Sequence, residues 1–145
     1  MPRVEVDGLE QVERNLARLG REYGVAVARA AVEAGKLVEG DAIKSIQDAS
    51  SGHTVTRHQA GSGEPYTHTA ADEGEAPNTD TGTLVKSINV EVRPDGVYVG
   101  STLKYAGWLE FGTRQMGARP WLNPALEKNR DDIFKIFKIK VGKVK

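Results

Sequence analysis

His53, His58 and His68 are the only histidines of the chain, and Asp72, Glu73 and Glu75 follow them closely. Imidazole and carboxylate together make a zinc donor set. The spacing fits none of the recurrent ligand patterns, and a polar loop does not preorganise ligands, so solvated histidines and no metal are expected. Glu110 sits among aromatic residues, where burial could raise its pKa and suit it to general acid chemistry. No second carboxylate, histidine or nucleophile is tied to it by spacing. An ion pair with Arg114, with Arg119 or with a neighbouring subunit is therefore the expected role. Gly61-Ser-Gly63-Glu64-Pro65 lacks the downstream Gly-Lys-Ser/Thr of a phosphate loop and the strand–helix setting that such a loop needs. No G-x-S-x-G is present to present a serine nucleophile. The absence of cysteine excludes disulfides, thiolate metal sites and thiol nucleophiles, and removes any need for an oxidising compartment. The residues thus predict no enzyme and no cofactor.

What stands out instead is Tyr105–Ala125, YAGWLEFGTRQMGARPWLNPA. It holds both tryptophans in a chain that is only 6% aromatic. No catalytic motif accounts for it, and it reads as a device for packing and assembly.

The elements that must position this segment follow from periodicity. Asp7-Gly-Leu-Glu10 has the order of a capping box. Leu9, Val12, Leu16 and Leu19 follow at helical spacing. Gly20 and Gly24 mark a break or kink, and a second helix is predicted from about Glu22 to Gln47. Its stripe of Val27, Ala30, Ala31, Ala34, Leu37, Val38, Ile43 and Ile46 is alanine-rich, so another element can approach its axis closely. Asp48–Gly82 contains no Ile, Leu, Phe or Trp. It cannot bury enough apolar surface to offset its ordering entropy, and is expected to be a flexible loop without regular structure. From Leu84 the period changes to two, with Leu84, Ile88, Val90 and Val92 on one face. Pro94-Asp95-Gly96 is a turn and Val97–Gly100 a returning strand, so a β-hairpin is predicted over about 84–101. Tyr105, Trp108 and Leu109 share a face of a short helix, which Gly112 ends with positive φ. Asn123-Pro124 offers an N-cap and a first-turn proline for a C-terminal helix that buries Leu126, Ile133, Phe134 and Phe137. Lys135–Lys145 is expected as a short strand or a frayed tail. Segregated helices and an antiparallel hairpin give an α+β class. The 145 residues form one domain, with a helical part at 1–47, the polar loop at 48–82, and the hairpin plus C-terminal helices at 83–145.

The formal net charge is zero, so bulk electrostatics does not draw the chain to nucleic acid or anionic lipid. No run approaches the ~18 apolar residues of a membrane span, and Met1–Gly8 has no signal-peptide pattern. The charge is nevertheless uneven. Glu64–Asp80 carries five acidic residues and no Lys or Arg, while Lys128–Lys145 carries seven basic residues against two acidic ones. A solvated loop and tail explain this. Head-to-tail contact between copies, acidic loop to basic tail, is the functional alternative.

The chain resembles the small tail-completion, or head–tail joining, proteins of long-tailed double-stranded DNA phages, including the minor-tail-protein-Z type. The resemblance rests on Thr81-Gly82-Thr83-Leu84 with Ser87-Ile88, on Val97–Ser101, and on Tyr105-Ala106 with Leu109-Glu110-Phe111-Gly112-Thr113. Arg119-Pro120-Trp121-Leu122 with Pro124-Ala125 completes it. It covers about residues 77–127. It implies a structural virion protein of the neck, made in the host cytoplasm, which acts as a homo-oligomeric ring among other neck and tail proteins. A tail terminator or head–tail connector is the neighbouring alternative. A nucleic-acid-binding module using the basic C-terminus, and a small metal-dependent hydrolase using the loop histidines, are less favoured. On this reading Gly82 and Gly112 let the backbone turn tightly, and Tyr105, Trp108, Phe111, Trp121 and Leu122 anchor the short helix against the hairpin. Some of these aromatics extend onto a subunit interface, and Arg114 and Arg119 pair with Glu110.

Overall fold

A continuous helix, α1 (Leu9–Gln47), is the spine of the computed structural model, which describes residues 8–49 and 51–144. The break predicted at Gly20 and Gly24 does not occur. Each glycine costs only about 1 kcal/mol relative to alanine, and Leu19, Arg21 and Glu22 around Gly20, with Ala26, Ala28, Ala30 and Ala31 after Gly24, favour the helix. Arg18 reaches Glu22 at 3.8 Å across the turn that contains Gly20, a stabilising i,i+4 pair. The helix begins after Gly8, whose φ is 91°. The capping box proposed from Asp7 lies outside the described residues.

From Ala30 onward α1 buries Ala30, Ala34, Gly35, Val38, Ala42 and Ile46. Small residues on this stripe let a hairpin lie close to the helix axis, as expected. The hairpin is β3 (Ile88–Arg93) and β4 (Gly96–Ser101), antiparallel, with Val90 opposite Val99 and Val92 opposite Val97. A side chain at Gly35 would place its Cβ 2.9 Å from Val97 Cγ1 and 3.1 Å from Val90 Cγ1. The approach therefore requires glycine there. The hairpin starts later than predicted, because Leu84 belongs to a one-turn helix, α2 (Thr83–Ser87), entered through Gly82 at φ 75°. Ser87 Oγ donates to Leu84 O at 2.6 Å and also meets Ser101 Oγ at 2.6 Å, which pins that turn to the end of β4. Leu84 still reaches the core, with Val38, Ala42, Ile46, Ile88, Ala106, Trp121 and Ala125.

The polar segment is not devoid of regular structure. It forms a second hairpin, β1 (His53–His58) with β2 (Pro65–Ala70), in which His58 faces Pro65 and His53 faces Ala70. The entropy argument counted only apolar burial, whereas this hairpin is held by polar pins. Asn78 Nδ2 donates to Ser51 O and Thr69 O, both at 2.8 Å, and Thr79 Oγ1 donates to Ile46 O at 3.2 Å. Its β-branched residues, Thr54, Val55, Thr56, Thr67 and Thr69, suit strands.

The C-terminal part comprises α3 (Lys104–Phe111), α4 (Asn123–Lys128) and α5 (Arg130–Val141). Asn129 is buried at the α4–α5 junction, donating from Nδ2 to Asp41 Oδ2 at 2.6 Å and to Ala125 O at 2.8 Å. Leu122, not Asn123, precedes the first helical residue of α4, and Asn123 makes no side-chain cap. Of the face expected to be buried, Ile133 and Phe137 are half-buried, while Leu126 and Phe134 are exposed. Among the described residues the tail forms no strand, and its Lys-Ile alternation continues as helix as far as Val141. Ile133 packs against the core cluster, Phe137 is half-buried, and Lys140 Nζ is 2.6 Å from Glu33 of α1. The α+β class holds, with one long N-terminal helix in place of two.

Candidate functional site

The aromatic segment is built around α3. Ala106 and Glu110 are buried and Leu109 is half-buried, whereas Tyr105, Trp108 and Phe111 are exposed. The helix thus turns a small and acidic face inward and an aromatic face outward. This corrects the expectation that Tyr105, Trp108 and Phe111 anchor the helix in the core. Trp108 is 57% exposed and Phe111 84%, while Trp121, at 3%, fills the core position.

Three sets of hydrogen bonds fix the inner face. Trp121 Nε1 donates to Ala106 O at 3.2 Å. The Arg119 amide donates to Leu109 O at 2.6 Å. Glu110 receives three backbone amides at the start of α4. Oε2 accepts from Trp121 at 2.8 Å and Leu122 at 2.9 Å, and Oε1 accepts from Asn123 at 2.8 Å. Those amides have no partner within α4, so a carboxylate from α3 takes the place of the missing N-cap. Charge-assisted bonds of this kind are roughly twice as strong as neutral ones.

Glu110 therefore makes no ion pair with Arg114 or Arg119. Arg119 donates from Nε to Ala71 O at 2.8 Å, and Arg114 lies in the exposed loop after Gly112. Gly112 has φ 74°, and a Cβ there would stand 2.9 Å from Ala118 N and Met116 O. The chain reverses through this residue, closing with the Thr113 amide on Met116 O at 2.8 Å. Pro120 and Leu122 are half-buried on either side of Trp121, and Leu122 packs against the core.

The acidic loop borders α3. The Gly74 amide donates to Ala118 O at 2.8 Å, and a Cβ at Gly117 would collide with the Glu73 side chain. Asp80 is the hub of the next stretch. It accepts from Arg57 Nη1 at 2.9 Å and from the Tyr66 hydroxyl at 3.0 Å, and its Oδ1 lies 3.7 Å from His68 Nδ1. Burial, and then the Asp80 carboxylate, push the Tyr66 phenol above its ordinary pKa. The same two causes raise Tyr105. His68 is half-buried beside Asp80, whereas His53 is exposed, 3.4 Å from Asp72. Among the described residues no cluster of three or more His, Asp or Glu could hold a metal. A cavity of about 510 Å3 lies between the first hairpin, the strap 77–83 and α3, lined by Arg57, His68, Asp80, Tyr105, Leu109 and Arg119 among others. The Asp80 oxygens are engaged by Arg57 and Tyr66. Asp80 and Asn78 are the organising residues that sequence reasoning missed, because isolated polar residues in a low-complexity stretch carry no periodic signal.

Residues 10–112, well over half of the chain, match the model of the HK97-gp10-like family, described as "Bacteriophage HK97-gp10, putative tail-component". The chain belongs to this family. No curated protein and no solved structure matches it. The matched span of this HK97-gp10-like chain holds the described part of α1 from Glu10, both hairpins and α3. It ends at Gly112, so Glu110 lies inside it and the three amides it holds lie beyond it. Membership agrees with the resemblance to phage tail proteins; of the motifs that carry it, those from Thr81 to Gly112 lie inside the matched span, and Thr113 and the Arg119–Ala125 block lie beyond it. No helix among the described residues is long and apolar enough to cross a membrane.

Proposed function

We propose that this phage tail component is a structural protein of the neck, which completes the tail and joins it to the head as a ring of copies through protein–protein contacts. The observation that carries this reading is the aromatic face of α3. Trp108 and Phe111 are held outward on a helix whose inner side is fixed at Ala106, Leu109 and Glu110. Rigid exposed aromatics of this kind are what interface hot spots are made of, and a monomer gains nothing by leaving them in water. The engaged oxygens of Glu110 and Asp80 favour binding over catalysis as the working mode.

The test is a phage carrying Trp108→Asp in this gene, viewed by electron microscopy after induction. DNA-filled heads and separate tails of normal length are expected. Tails of uncontrolled length would assign the terminator position instead, and normal infectious particles would overturn the assembly role of α3.

A further inference from the structure

The first half of α1 is the largest unexplained surface. Between Leu9 and Arg29 every residue is exposed except Leu19, Glu22 and Ala26, which are half-buried. This stretch of helix rises ~30 Å at 1.5 Å per residue. It carries Leu9, Val12, Leu16, Leu19, Tyr23 and Ala26 at alternating steps of three and four, the repeat of a seam made to meet a partner. Leu16 is 63% exposed. Because the helix is continuous into the packed half, the arm cannot fold back onto its own domain.

We propose that this arm docks on the aromatic face of α3 in a second copy of the chain, a contact that rests on the ring reading above. Three observations select that occupant. The first is charge. From Leu9 to Arg29 the arm bears Arg14, Arg18, Arg21 and Arg29 against Glu10, Glu13 and Glu22, with Arg14 3.4 Å from Glu10 and Arg18 3.8 Å from Glu22, so its positive end is the stretch Arg14–Arg29. The ground beside α3 bears Asp72, Glu73 and Glu75, brought there by the Gly74–Ala118 bond and the packing of Glu73 on Gly117. The lysine tail, the other basic candidate, is tied back to α1 of its own chain, whereas the ion pairs of the arm lie within the arm itself. Lys128 pairs with Asp41 at 3.2 Å, Lys135 with Asp132 at 2.9 Å and Lys140 with Glu33 at 2.6 Å.

The second observation is area. Tyr105, Trp108 and Phe111 at their observed exposures leave roughly 350 Å2 of aromatic surface, given 150–250 Å2 for each when fully buried. One side of a standard interface contributes about 800 Å2, a little over half of it apolar, so this face supplies most of that share. The third is the failure of the obvious rival, a coiled coil between two arms. The positions flanking the seam are Glu13, Asn15, Gly20, Glu22, Val27 and Arg29, which gives no run of complementary pairs between like helices. Docking arm to α3 uses two different patches of one chain. Such a contact is heterologous, the kind that closes into a ring when the rotation permits.

The chain has no cysteine, so single cysteines report contact cleanly. Leu16→Cys and Phe111→Cys chains are prepared separately and mixed in equal amounts. They are then treated with a short bifunctional maleimide, while light scattering on the same samples follows assembly. A covalent dimer from the mixture, and little from either chain alone, is expected. Adding Arg18→Glu and Arg21→Glu to the Leu16→Cys chain should cut that yield at least tenfold while moving its melting temperature little, since both arginines are exposed. Efficient self-linking of Leu16→Cys would overturn the proposal in favour of paired arms. Multimers without any mixed product would overturn arm docking and leave the ring reading standing. Monomers at every concentration would overturn both for the free protein.

Discussion

Glu110 shows how a single residue can be misjudged by type and yet be central. A carboxylate among arginines suggests an ion pair, but the three amides at the start of α4 are nearer and have no other acceptor. Removing the carboxylate strands buried donors. Glu110→Ala should therefore lower unfolding stability by roughly 3 kcal/mol or more, and Glu110→Gln by about 1–2 kcal/mol, in denaturant titrations. Equal, small effects of both would mean that water replaces the carboxylate. Trp121→Ala belongs to the same scale, with an expected loss of about 3–5 kcal/mol for a fully buried indole. Asp41 adds a pH term. The Asn129 amide hydrogen bond, then the Lys128 ammonium, hold its carboxyl below the usual carboxylate range. A carboxyl depressed in the folded state contributes stability above its unfolded pKa of about 4, and that contribution disappears as pH falls through the folded value. The stability difference between wild type and Asp41→Asn should therefore be full near neutrality and shrink below about pH 4. A difference that stays constant into acid would show that Asp41 acts only by packing.

At the scale of elements, the two hairpins are held by different physics, and that difference decides what could be read in advance. The β3–β4 hairpin announces itself through period two and the Pro94-Asp95 turn, and it seats on α1 where Gly35 leaves room for Val90 and Val97. Gly35→Ala should cost about 1–3 kcal/mol by overpacking, although alanine is the better helix former. The β1–β2 hairpin was illegible because Asn78, Thr79 and Asp80 hold it from a strap that looks like any polar linker. Its amides should exchange faster than those of β3–β4, since polar pins near solvent open more easily than a packed core. Asp80→Ala should accelerate exchange across 53–70 while leaving 88–101 unchanged, as hydrogen exchange read by mass spectrometry would show. Uniform acceleration would make the hairpin part of the main cooperative unit. The same logic explains the other departures. Glycines at 20 and 24 weaken a helix without ending it, and a Lys-Ile alternation is compatible with a helix face once Glu33 of α1 waits opposite Lys140. The aromatic segment was legible as a packing element, with Trp121 buried in the core, but its role as a site was not. Nor was the direction in which each aromatic points, because α3 is only two turns long and its phase is set by Glu110 rather than by hydrophobicity.

At the scale of the whole molecule, stability and assembly are laid out on separate surfaces. The core lies between the second half of α1, β3–β4, α2, α3 and α4, and it is small, with Ile46 the one large side chain fully enclosed among the described residues. The outer face of α3 contributes little to that core. Surface substitutions away from caps and buried networks usually change stability by less than about 0.5 kcal/mol. A Trp108→Ala, Phe111→Ala double variant should therefore melt within about a degree or two of wild type, given a shift of a few degrees per kcal/mol for a domain of this size. The same variant should fail to incorporate into particles when it is supplied as the only copy of the gene, since truncating aromatic anchors at the centre of an interface commonly removes 2 kcal/mol or more per residue. The two readings, melting temperature and incorporation, must be taken together. Loss of both would place the aromatics in the fold's own core in solution. Loss of incorporation alone would show that this chain spends its exposed aromatic surface on its neighbours, and retention of both would move the search for the contact from α3 to the exposed Phe134 and Ile139 of α5.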